Sequence, residues 1–345
     1  MGDFETLEEE VIKKGRCTHC GACISVCPDY NIEWGLDDRP RRDEAKGMCK
    51  NCTECYDSCH RVNGHFDSKK LDEFLFGRVR NGNEPLGIYK KVLSARAQDE
   101  EILKYAQDGG IATAIALYLL EKDKVDGIIT TGKMEENGGW KPKPVIVRNK
   151  SELLCASGSK YYIAPILMKL KDGVIDMELD RLAIIGLPCQ IRSARYLQMI
   201  EADLAPAIEV TIGLFCTKNY DYDKLSALIR ADGINMKDIS KMDVSGGKFH
   251  IYSNLNNLAV PLKEMEDLVP NFCLECEDYA AEFADISVGS NGSTSGWSTV
   301  IIRTDKGLQL FTELEENGYI EVKNVDKLEI LVTNSKKKHQ KKFNS

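Results

Sequence analysis

The sequence predicts a protein of mixed α/β class, with α+β character towards its carboxyl end, preceded by a small cysteine-rich domain. Eight of the 13 cysteines lie within the first sixty residues, a region with little helical or strand periodicity. From about Leu86 onward, apolar runs typical of buried strands alternate with helical segments. A hydrophobic content of 43% over 345 residues is enough for a sizeable core and leaves room for two or three domains.

Composition excludes several classes of protein. The formal net charge of −8 argues against nucleic acid as the main partner. The longest apolar run, from Ile111 to Leu120, is about half of the ~20 residues that a membrane-spanning helix needs. The first residues are acidic and lack the basic and apolar segments of a secretory signal. We therefore expect a cytoplasmic protein whose cysteines are reduced and available to bind metal.

The chain divides by composition into four segments. Residues 1–65 form the cysteine-rich domain, and the polar residues 66–85 are predicted to be a linker. Residues 86–335 form the globular domain. Residues 336–345 are a basic tail with five lysines, predicted to be either solvated or in contact with an acidic partner.

Strands and helices are predicted in alternation within the globular domain. Three apolar runs predict buried strands, at residues 125–129, 182–186 and 208–214. Helices are predicted at residues 111–122, 165–171 and 222–231. The alternation indicates βα units, although not in a simple doubly wound order, and the strand signals move closer together after Lys248.

Two cysteine motifs in the first domain predict iron–sulfur clusters. The run Cys17-x2-Cys20-x2-Cys23-x3-Cys27-Pro28 is followed by the same spacing at Cys49, Cys52, Cys55 and Cys59. This is the spacing of bacterial ferredoxins with two [4Fe–4S] clusters, in which the fourth cysteine of each run ligates the other cluster. We therefore expect one cluster on Cys17, Cys20, Cys23 and Cys59, and a second on Cys49, Cys52, Cys55 and Cys27. Structural zinc is the alternative, but it favours paired knuckles over three evenly spaced thiolates.

Five cysteines remain in the globular domain. Cys273-x2-Cys276 is a pair with ligand spacing, and Cys189 and Cys216 each follow a predicted strand. Both would emerge at the carboxyl edge of a parallel sheet, where sites are usually built. The spacing leaves two possibilities open, a third cluster or inert buried thiols. Cys155 lies at an apolar helix start and is expected to be a buried core residue.

Glycine-rich turns are the candidates for a nucleotide or flavin site. No G-x-G-x-x-G follows a strand, so a Rossmann-type dinucleotide site is not indicated. Gln107-Asp108-Gly109-Gly110 precedes the helix at Ile111, and such a turn lets backbone N–H groups approach a phosphate or a ring. The segments 157–162 and 289–298 are similar in composition. Each of these is otherwise an ordinary turn.

A set of motifs in fixed order carries a resemblance to a known family. They are Leu86-Gly87-Ile88-Tyr89, Ala106-Gln107-Asp108-Gly109-Gly110, Lys160-Tyr161, Pro188-Cys189-Gln190, Lys248-Phe249, Cys273-x2-Cys276-x-Asp278-Tyr279 and Gly296-Trp297-Ser298-Thr299-Val300-Ile301. With these motifs the chain, from about Leu86 to Val332, resembles the beta subunit of coenzyme F420-reducing hydrogenase and its relatives. That family binds FAD and a [4Fe–4S] cluster and exchanges a hydride with the 5-deazaflavin coenzyme F420.

The resemblance implies cofactor sites in the globular domain. It makes Cys189, Cys216, Cys273 and Cys276 the ligands of a third [4Fe–4S] cluster. The expected FAD contacts are Gln107, Asp108, Gly109, Gly110, Thr113, Ser157, Gly158, Ser159, Lys160, Tyr161, Pro188, Ser290, Trp297 and Ser298. Cations for the acidic tail of F420 are expected among Lys160, Lys218, Lys248 and Arg303. No catalytic acid or base is required, because the flavin mediates hydride transfer.

The two-cluster domain before the matching region is a departure from the hydrogenase protein. This layout resembles the electron-input subunit of the F420H2 dehydrogenase of methanogen and other archaeal respiratory chains. It implies electron flow from F420H2 to FAD, through three clusters, to a partner that is either a membrane-bound dehydrogenase complex or a ferredoxin. The alternatives are a soluble ferredoxin:F420 oxidoreductase and the beta subunit of an F420-dependent formate dehydrogenase or hydrogenase. Two alternatives of other classes are a flavin-free ferredoxin-like carrier and a zinc-stabilised interaction protein.

Overall fold

The computed structural model of the protein describes residues 2–46, 51–133, 140–254 and 256–340. Cys49 and the last two lysines of the predicted basic tail, Lys341 and Lys342, lie outside these ranges. No helix in the described ranges is long and apolar enough to span a membrane.

The cysteine-rich domain is built from short elements. They are α1 (Phe4–Leu7) with a π-helical continuation (Glu8–Ile12), α2 (Ala22–Ser25), β1 (Ile32–Trp34), β2 (Pro40–Arg42), a 3-10 turn (Glu44–Lys46) and α3 (Glu54–Asp57). Asp3 caps α1, because its carboxylate accepts a hydrogen bond from the Thr6 amide. The strands β1 and β2 pair as an antiparallel hairpin. Phe4, Leu7 and Val11 form a small core together with Cys27 and Cys55.

The segment expected to be a linker contains a helix, α4 (Ser68–Phe76). Asp67 caps its start by accepting from the Lys69 amide, and Gly77 ends it with a left-handed φ of 68°. Leu71 of this helix is fully buried in the core beneath the main sheet. Residues 66–76 therefore pack on the globular domain.

The globular domain contains eleven strands and nine helices in the described ranges. The strands are β3 (Lys91–Ala97), β4 (Gly127–Lys133), β5 (Pro142–Val147), β6 (Leu182–Gly186), β7 (Ile208–Leu214), β8 (Ile239–Ser245), β9 (Lys248–Ser253), β10 (Asn257–Pro261), β11 (Ile286–Gly289), β12 (Ser298–Ile302) and β13 (Ile320–Asn324). The α-helices are α5 (Glu100–Tyr105), α6 (Ile111–Glu121), α7 (Lys150–Cys155), α8 (Lys169–Lys171), α9 (Pro188–Met199), α10 (Tyr222–Ala231), α11 (Asn271–Leu274), α12 (Asp305–Glu316) and α13 (Leu328–His339).

Eight strands form one mixed sheet in the order β13-β3-β12-β11-β7-β6-β4-β5. The four central strands β11, β7, β6 and β4 are parallel, and the outer strands pair antiparallel. Every residue of β6 is buried, which explains why this strand is a continuous apolar run. Strands β8, β9 and β10 form a separate antiparallel sheet over its own core, with Phe249 and Ile251 at the centre.

The predicted elements are largely confirmed. The bounds of β6, β7 and α10 are those expected, and α6 covers the long apolar run. β4 begins at Gly127, two residues later than expected. The predicted helix at residues 165–171 is a composite of a 3-10 turn (Ile166–Met168) and α8, followed by a π-helical turn (Asp172–Asp176).

The carboxyl end of the chain differs from a solvated basic tail. Helix α13 continues to His339, and Lys338 in its last turn is 4% exposed. The helix packs through Leu331 against Leu86, Tyr279 and Ile301. The first lysines of the predicted tail therefore belong to a packed helix, which brings Lys338 inside the molecule.

Candidate functional site

The first cysteine site lies in the amino-terminal domain. Cys17, Cys20, Cys23 and Cys59 line one small, mainly apolar cavity, together with Leu7, Ile12, Trp34, His60 and other residues of this domain. These are the four cysteines that the crossed ferredoxin pattern assigns to one cluster. A cavity lined by four thiols and mainly by apolar groups, with Thr18, His60 and Arg61 as the polar members, fits a [4Fe–4S] cluster.

A glycine fixes the loop of this site against the globular domain. Gly21 has a left-handed φ of 89°, and a Cβ at this position would lie 2.7 Å from both the Met168 amide nitrogen and the Pro165 carbonyl oxygen. The neighbouring Cys20 carbonyl accepts a hydrogen bond from the Leu167 amide at 2.9 Å. The ferredoxin-like loop is therefore seated on the segment before α8.

Three half-buried thiols of the first site, those of Cys17, Cys23 and Cys59, are surrounded by protein and have raised pKa values. Burial raises the pKa of Cys17 and of Cys59 to about 12, with a smaller contribution from neighbouring thiols. Burial also raises the pKa of Cys23 well above its usual value. Such a cluster of thiols becomes a set of thiolates only when a metal supplies positive charge, so the donor set suits a metal centre.

The second cysteine site is partly described. Cys27 and Cys55 are buried in the same core, and Cys52 is half-buried. The fourth predicted ligand, Cys49, lies outside the described residues. The Asn31 amide donates to the Cys27 sulfur at 3.2 Å, and the Lys171 ammonium donates to the Cys27 carbonyl.

The third cysteine site is assembled from distant parts of the globular domain. Cys189 lies in the first turn of α9, directly after β6, and Cys216 lies two residues after the parallel neighbour β7. Cys273 lies in α11, and Cys276 follows this helix. Burial raises the pKa of Cys189 well above its usual value, and Cys276, Cys216 and Cys273 add to the shift because they lie near it. The four cysteines meet at the carboxyl edge of the sheet.

Hydrogen bonds hold the backbone of the third site. The Gln190 side chain accepts from the Leu187 amide at 2.8 Å and donates to the Ala164 carbonyl at 2.7 Å, which fixes the turn that carries Cys189. The Cys216 amide donates to the Tyr279 carbonyl at 2.9 Å. The Asn219 side-chain amide lies 3.6 Å from the Cys216 sulfur.

Lys338 is a member of the third site that the sequence does not indicate. Its ammonium donates to the Cys216 carbonyl at 2.6 Å. Burial by itself lowers the pKa of Lys338, but Cys216, Cys276 and Asp278 together raise it to about 12. Its position in a lysine-rich tail hides this role, because only the packing of α13 brings it to the site.

The three sites lie in sequence through the molecule. Cys20 of the first site packs against the core that contains Ile191, in the first turn of the helix that carries Cys189 of the third site. Cys23 of the first site packs against the core that contains Cys27 and Cys55 of the second site. The first site therefore lies between the other two. In the described ranges, no group of three His, Cys, Asp or Glu side chains is arranged to hold a single metal ion.

Three of the glycine- and serine-rich turns meet near the start of α6. The buried Gly109 amide donates to the Ser298 hydroxyl at 3.1 Å, and a Cβ on Gly109 would lie 2.6 Å from the Ala95 carbonyl oxygen. Asp108 accepts a hydrogen bond from Ser290. Thr113 lies 3.4 Å from Ser157, hydroxyl to hydroxyl.

The remaining predicted flavin residues lie around these turns, with one exception. Gln107 donates to Asp243 at 2.8 Å, and the ring of Tyr161 packs on Phe249 with centroids 4.8 Å apart. Gly158 and Ser159 complete the turn after α7, and Lys323 stacks on Trp297 at 4.5 Å. Pro188 is the exception, since it starts α9 next to Cys189.

Lys160 is the cation of this region. Its ammonium donates to the Ala156 and Ser157 carbonyls, and no carboxylate lies within 4 Å of it in the described ranges. Burial lowers the pKa of Lys160 to about 7, with a further contribution from Lys133. A cation held by carbonyls and lacking a carboxylate partner fits an anionic ligand such as the pyrophosphate of a flavin dinucleotide.

Two sequence expectations are wrong. Arg303 is 1% exposed and uses four of its five N–H donors on the carbonyls of Leu86, Ile88 and Ala280 and on the Ser287 hydroxyl, so it is buried away from any ligand in solution. Its charge is used to join residues 86–88 to the sheet. Cys155 is exposed at the last position of α7, because the helix starts at Lys150.

The other two proposed cations differ in exposure, since Lys218 is half-buried and Lys248 is exposed. Lys218 pairs with Glu266 at 2.7 Å, and Lys248 is exposed at the start of β9. Each stays a predicted contact for an acidic ligand.

Three family models match the chain. Residues 92–171 match the amino-terminal model of the "Coenzyme F420 hydrogenase/dehydrogenase, beta subunit" family, and residues 179–328 match its carboxyl-terminal model. Residues 10–33 match the "4Fe-4S binding domain" model. The match at 10–33 covers the first cysteine run.

Similar proteins come from methanogens. The chain is 34% identical to the coenzyme F420-dependent sulfite reductase of Methanocaldococcus jannaschii over 94% of its own length and 50% of that enzyme. It is 30% identical to one subunit of the F420H2 dehydrogenase of Methanosarcina mazei, over 88% of this chain and 83% of that one. A solved chain of the F420-reducing [NiFe] hydrogenase complex from Methanosarcina barkeri is 35% identical, with a TM-score of 0.73 over 77% of this chain and 94% of that chain.

Proposed function

The chain belongs to the coenzyme F420 hydrogenase/dehydrogenase beta subunit family, and we propose that it is the electron-input subunit of an F420H2 dehydrogenase. In this role it oxidises F420H2 at the globular domain and passes single electrons to a partner protein. The reverse direction uses the same sites.

One observation carries this proposal: the cysteine site of the globular domain adjoins the cysteine sites of the amino-terminal domain. Cys20 packs against the core that contains Ile191, two residues after Cys189, and Cys23 packs against the core that contains Cys27 and Cys55, so the three sites form a continuous series. A subunit that took electrons from a two-electron donor and delivered them elsewhere would need such a series. A ferredoxin-like carrier would need only the first two sites.

The residues fit three [4Fe–4S] clusters. We assign Cys17, Cys20, Cys23 and Cys59 to the first, Cys27, Cys49, Cys52 and Cys55 to the second, and Cys189, Cys216, Cys273 and Cys276 to the third. The Asn31 amide and the Asn219 side chain would place N–H groups at ligand sulfurs, and such bonds tune cluster potentials.

The turns around Gly109 and Lys160 fit FAD. Gly109 fixes its turn closely against the backbone of Ala95 and Ser298, beside the ligand site, while Lys160 would bind a phosphate. Bound FAD would supply the exchange between two-electron hydride chemistry and one-electron transfer. Tyr161, packed on Phe249, would support one side of the ligand site. No side chain is assigned as an acid or base.

The exposed Lys248 and the half-buried Lys218 are the candidates for the acidic tail of F420. We place the domain boundaries of this protein at residues 1–65 and 86–335, joined by the segment that contains α4, and extend the globular domain to the end of α13 at His339. The partner would approach the second cluster, which is the outer end of the series.

The share of this chain that aligns supports a dehydrogenase role over a hydrogenase role. The dehydrogenase protein aligns with 88% of the chain, whereas the hydrogenase beta subunit of Methanothermobacter thermautotrophicus aligns with 70%. A second candidate function has its own support. The F420-dependent sulfite reductase aligns with 94% of this chain, and this alignment spans half of that enzyme. The same F420-oxidising unit would then deliver electrons to a sulfite-reducing partner.

Anaerobic purification followed by iron, sulfide and flavin analysis tests the proposal. We expect about twelve irons per chain, from three four-iron clusters, and one FAD. F420H2 should be oxidised by an artificial one-electron acceptor at a rate that depends on bound flavin. Eight irons with no flavin and no turnover would contradict the proposal and leave a two-cluster carrier.

A further inference from the structure

Lys338 lies against the third cysteine site from an element that the family models do not cover. The carboxyl-terminal family model ends at residue 328, where α13 begins. Lys338 is 4% exposed, and its ammonium donates to the Cys216 carbonyl at 2.6 Å. The last turn of α13 therefore places a positive charge beside a predicted cluster ligand.

This charge has no ion-pair partner of the usual kind. In the described ranges, no carboxylate oxygen lies within 4 Å of the Lys338 ammonium, although Asp278 lies farther away. The groups that act on it most strongly are Cys216 and Cys276. Burial of a charge is costly unless an opposite charge compensates it, and a cluster with four thiolate ligands carries such a charge.

We propose that Lys338 raises the reduction potential of the third cluster, acting through the ligand Cys216. The inference rests on the proposed function, because it needs a cluster on Cys189, Cys216, Cys273 and Cys276. When one electron enters this cluster, its net charge becomes more negative by one, and the same electron later leaves for the first cluster. No bond is made or broken. A fixed positive charge favours the more negative state, so it favours reduction.

The position of the cluster in the series makes this charge relevant to electron flow. The third site belongs to the same domain as the turns around Gly109, and it adjoins the first site at Cys20. It is therefore the entry cluster for electrons that originate in the globular domain. A higher reduction potential of the third cluster makes electron transfer from the donor to this cluster more favourable.

Lys171 offers a matched comparison at another site. It is 6% exposed, donates to the carbonyls of Cys27 and Pro28, and lies 3.3 Å from the centroid of the Tyr30 ring. It therefore stands beside the second site as Lys338 stands beside the third. A neutral substitution of Lys171 removes a similar buried cation from the same domain without touching the third site.

The experiment is a redox titration of the intact, reconstituted protein followed by electron paramagnetic resonance. The variants are Lys338→Gln, which keeps a hydrogen-bond donor, Lys338→Arg, which keeps the charge, and Lys171→Gln. We expect Lys338→Gln to shift the reduction equilibrium of the third cluster about tenfold towards the oxidised form, which is ~59 mV for one electron. Lys338→Arg should keep the wild-type value, and Lys171→Gln should leave the third cluster unchanged.

Several results would overturn the inference. One is an unchanged potential in Lys338→Gln with full iron content, and another is an equal shift in Lys338→Arg. Loss of the third cluster's iron in Lys338→Gln but not in Lys338→Arg would also overturn it, because the charge would then serve assembly. If the wild-type protein itself held eight irons, the proposed function would fail, and this outcome is distinct from the others.

Discussion

The first and third cysteine sites hold the same type of ligand but are specified in opposite ways. Three of the four predicted ligands of the first site lie within seven residues, from Cys17 to Cys23, on one loop. The ligands of the third site extend from Cys189 to Cys276 and are brought together by two parallel strands and α11. The first site therefore depends on local spacing, whereas the third depends on the folded globular domain.

Substitution of one predicted ligand of the third site should have the largest effect, because it should impair the third site and leave the first intact. Cys189→Ser should lower the rate of F420H2-dependent acceptor reduction by at least roughly 100-fold, because the entry cluster loses a ligand. The iron of the two amino-terminal clusters should remain, since their ligands are local. Iron analysis and acceptor reduction check this. The exposed Cys155 gives the matched control, because Cys155→Ser removes a thiol that lies at no site. Loss of all iron in Cys189→Ser would contradict the view that the amino-terminal sites form independently of the third site.

Arg303 holds residues 86–88 against the sheet, and its substitution should have the largest effect on the free energy of unfolding. Arg303→Met would leave the carbonyls of Leu86, Ile88 and Ala280 without a donor inside the protein. It would also leave Glu282 and Asp278 with less positive charge near them. We expect the free energy of unfolding to fall by about 3–5 kcal/mol.

Urea unfolding of the variant checks this, with an exposed arginine as the control. Arg181 pairs with Asp126 at 2.7 Å on the surface, and Arg181→Met should destabilise the protein far less than Arg303→Met. Equal losses in the two variants would contradict the structural role of Arg303. If Arg303 instead bound the tail of F420, its variant would raise the KM for F420 without a loss of stability.

Much of this molecule follows from its sequence, and the reason differs between regions. The crossed ligand pattern at Cys17 and Cys59 is predictable because the spacing encodes it directly. Strand β6 is predictable because it is buried on both faces and is therefore apolar throughout. The convergence of Cys189 and Cys216 follows from parallel neighbours that share an edge.

Other features depend on contacts that spacing does not encode. Arg303 and Lys338 are charged residues that the sequence places on the surface, yet both are buried because backbone carbonyls from distant elements accept their hydrogen bonds. The segment 66–85 is polar, but Leu71 in α4 faces a core formed by residues far along the chain. The burial of a polar side chain by partners far along the chain does not produce a periodic hydrophobic pattern in the sequence.

The loop at Gly21 joins the amino-terminal domain to the globular domain. Its substitution should have the next smaller effect on the free energy of unfolding. Gly21→Ala would add a Cβ 2.7 Å from backbone atoms of Pro165 and Met168 and would place alanine at a φ of 89°. We expect a loss of about 3 kcal/mol, from the unfavourable φ together with the overlap. Gly64 is the matched control, because its φ is 82° and a Cβ there meets nothing within 4 Å. Gly64→Ala should cost only about 1–2 kcal/mol. Urea unfolding that gave both variants the same stability would show that the loop does not press on the globular domain.

The smallest expected effect concerns the attachment of α13, which carries Lys338 to the third site. The Glu282 carboxylate accepts from His339 at 2.9 Å and raises the pKa of this histidine above its ordinary value of 6.5. Burial and Arg80 oppose the shift, and Asp278 supports it. Because the folded-state pKa is raised, the stabilisation is complete below pH 6.5 and is lost as the pH rises through the folded-state value.

We expect the free energy of unfolding to fall by less than about 1 kcal/mol across this range, since the His339 side chain is about one-third exposed (35%). His339→Gln should remove this part of the pH dependence, while Lys338→Gln should keep it. Urea unfolding at several pH values from about 6 to 8 checks both variants. A pH dependence that persisted unchanged in His339→Gln would show that the contact with Glu282 does not hold α13 in place. The third site would then depend on Leu331 and its apolar neighbours alone for the position of this helix.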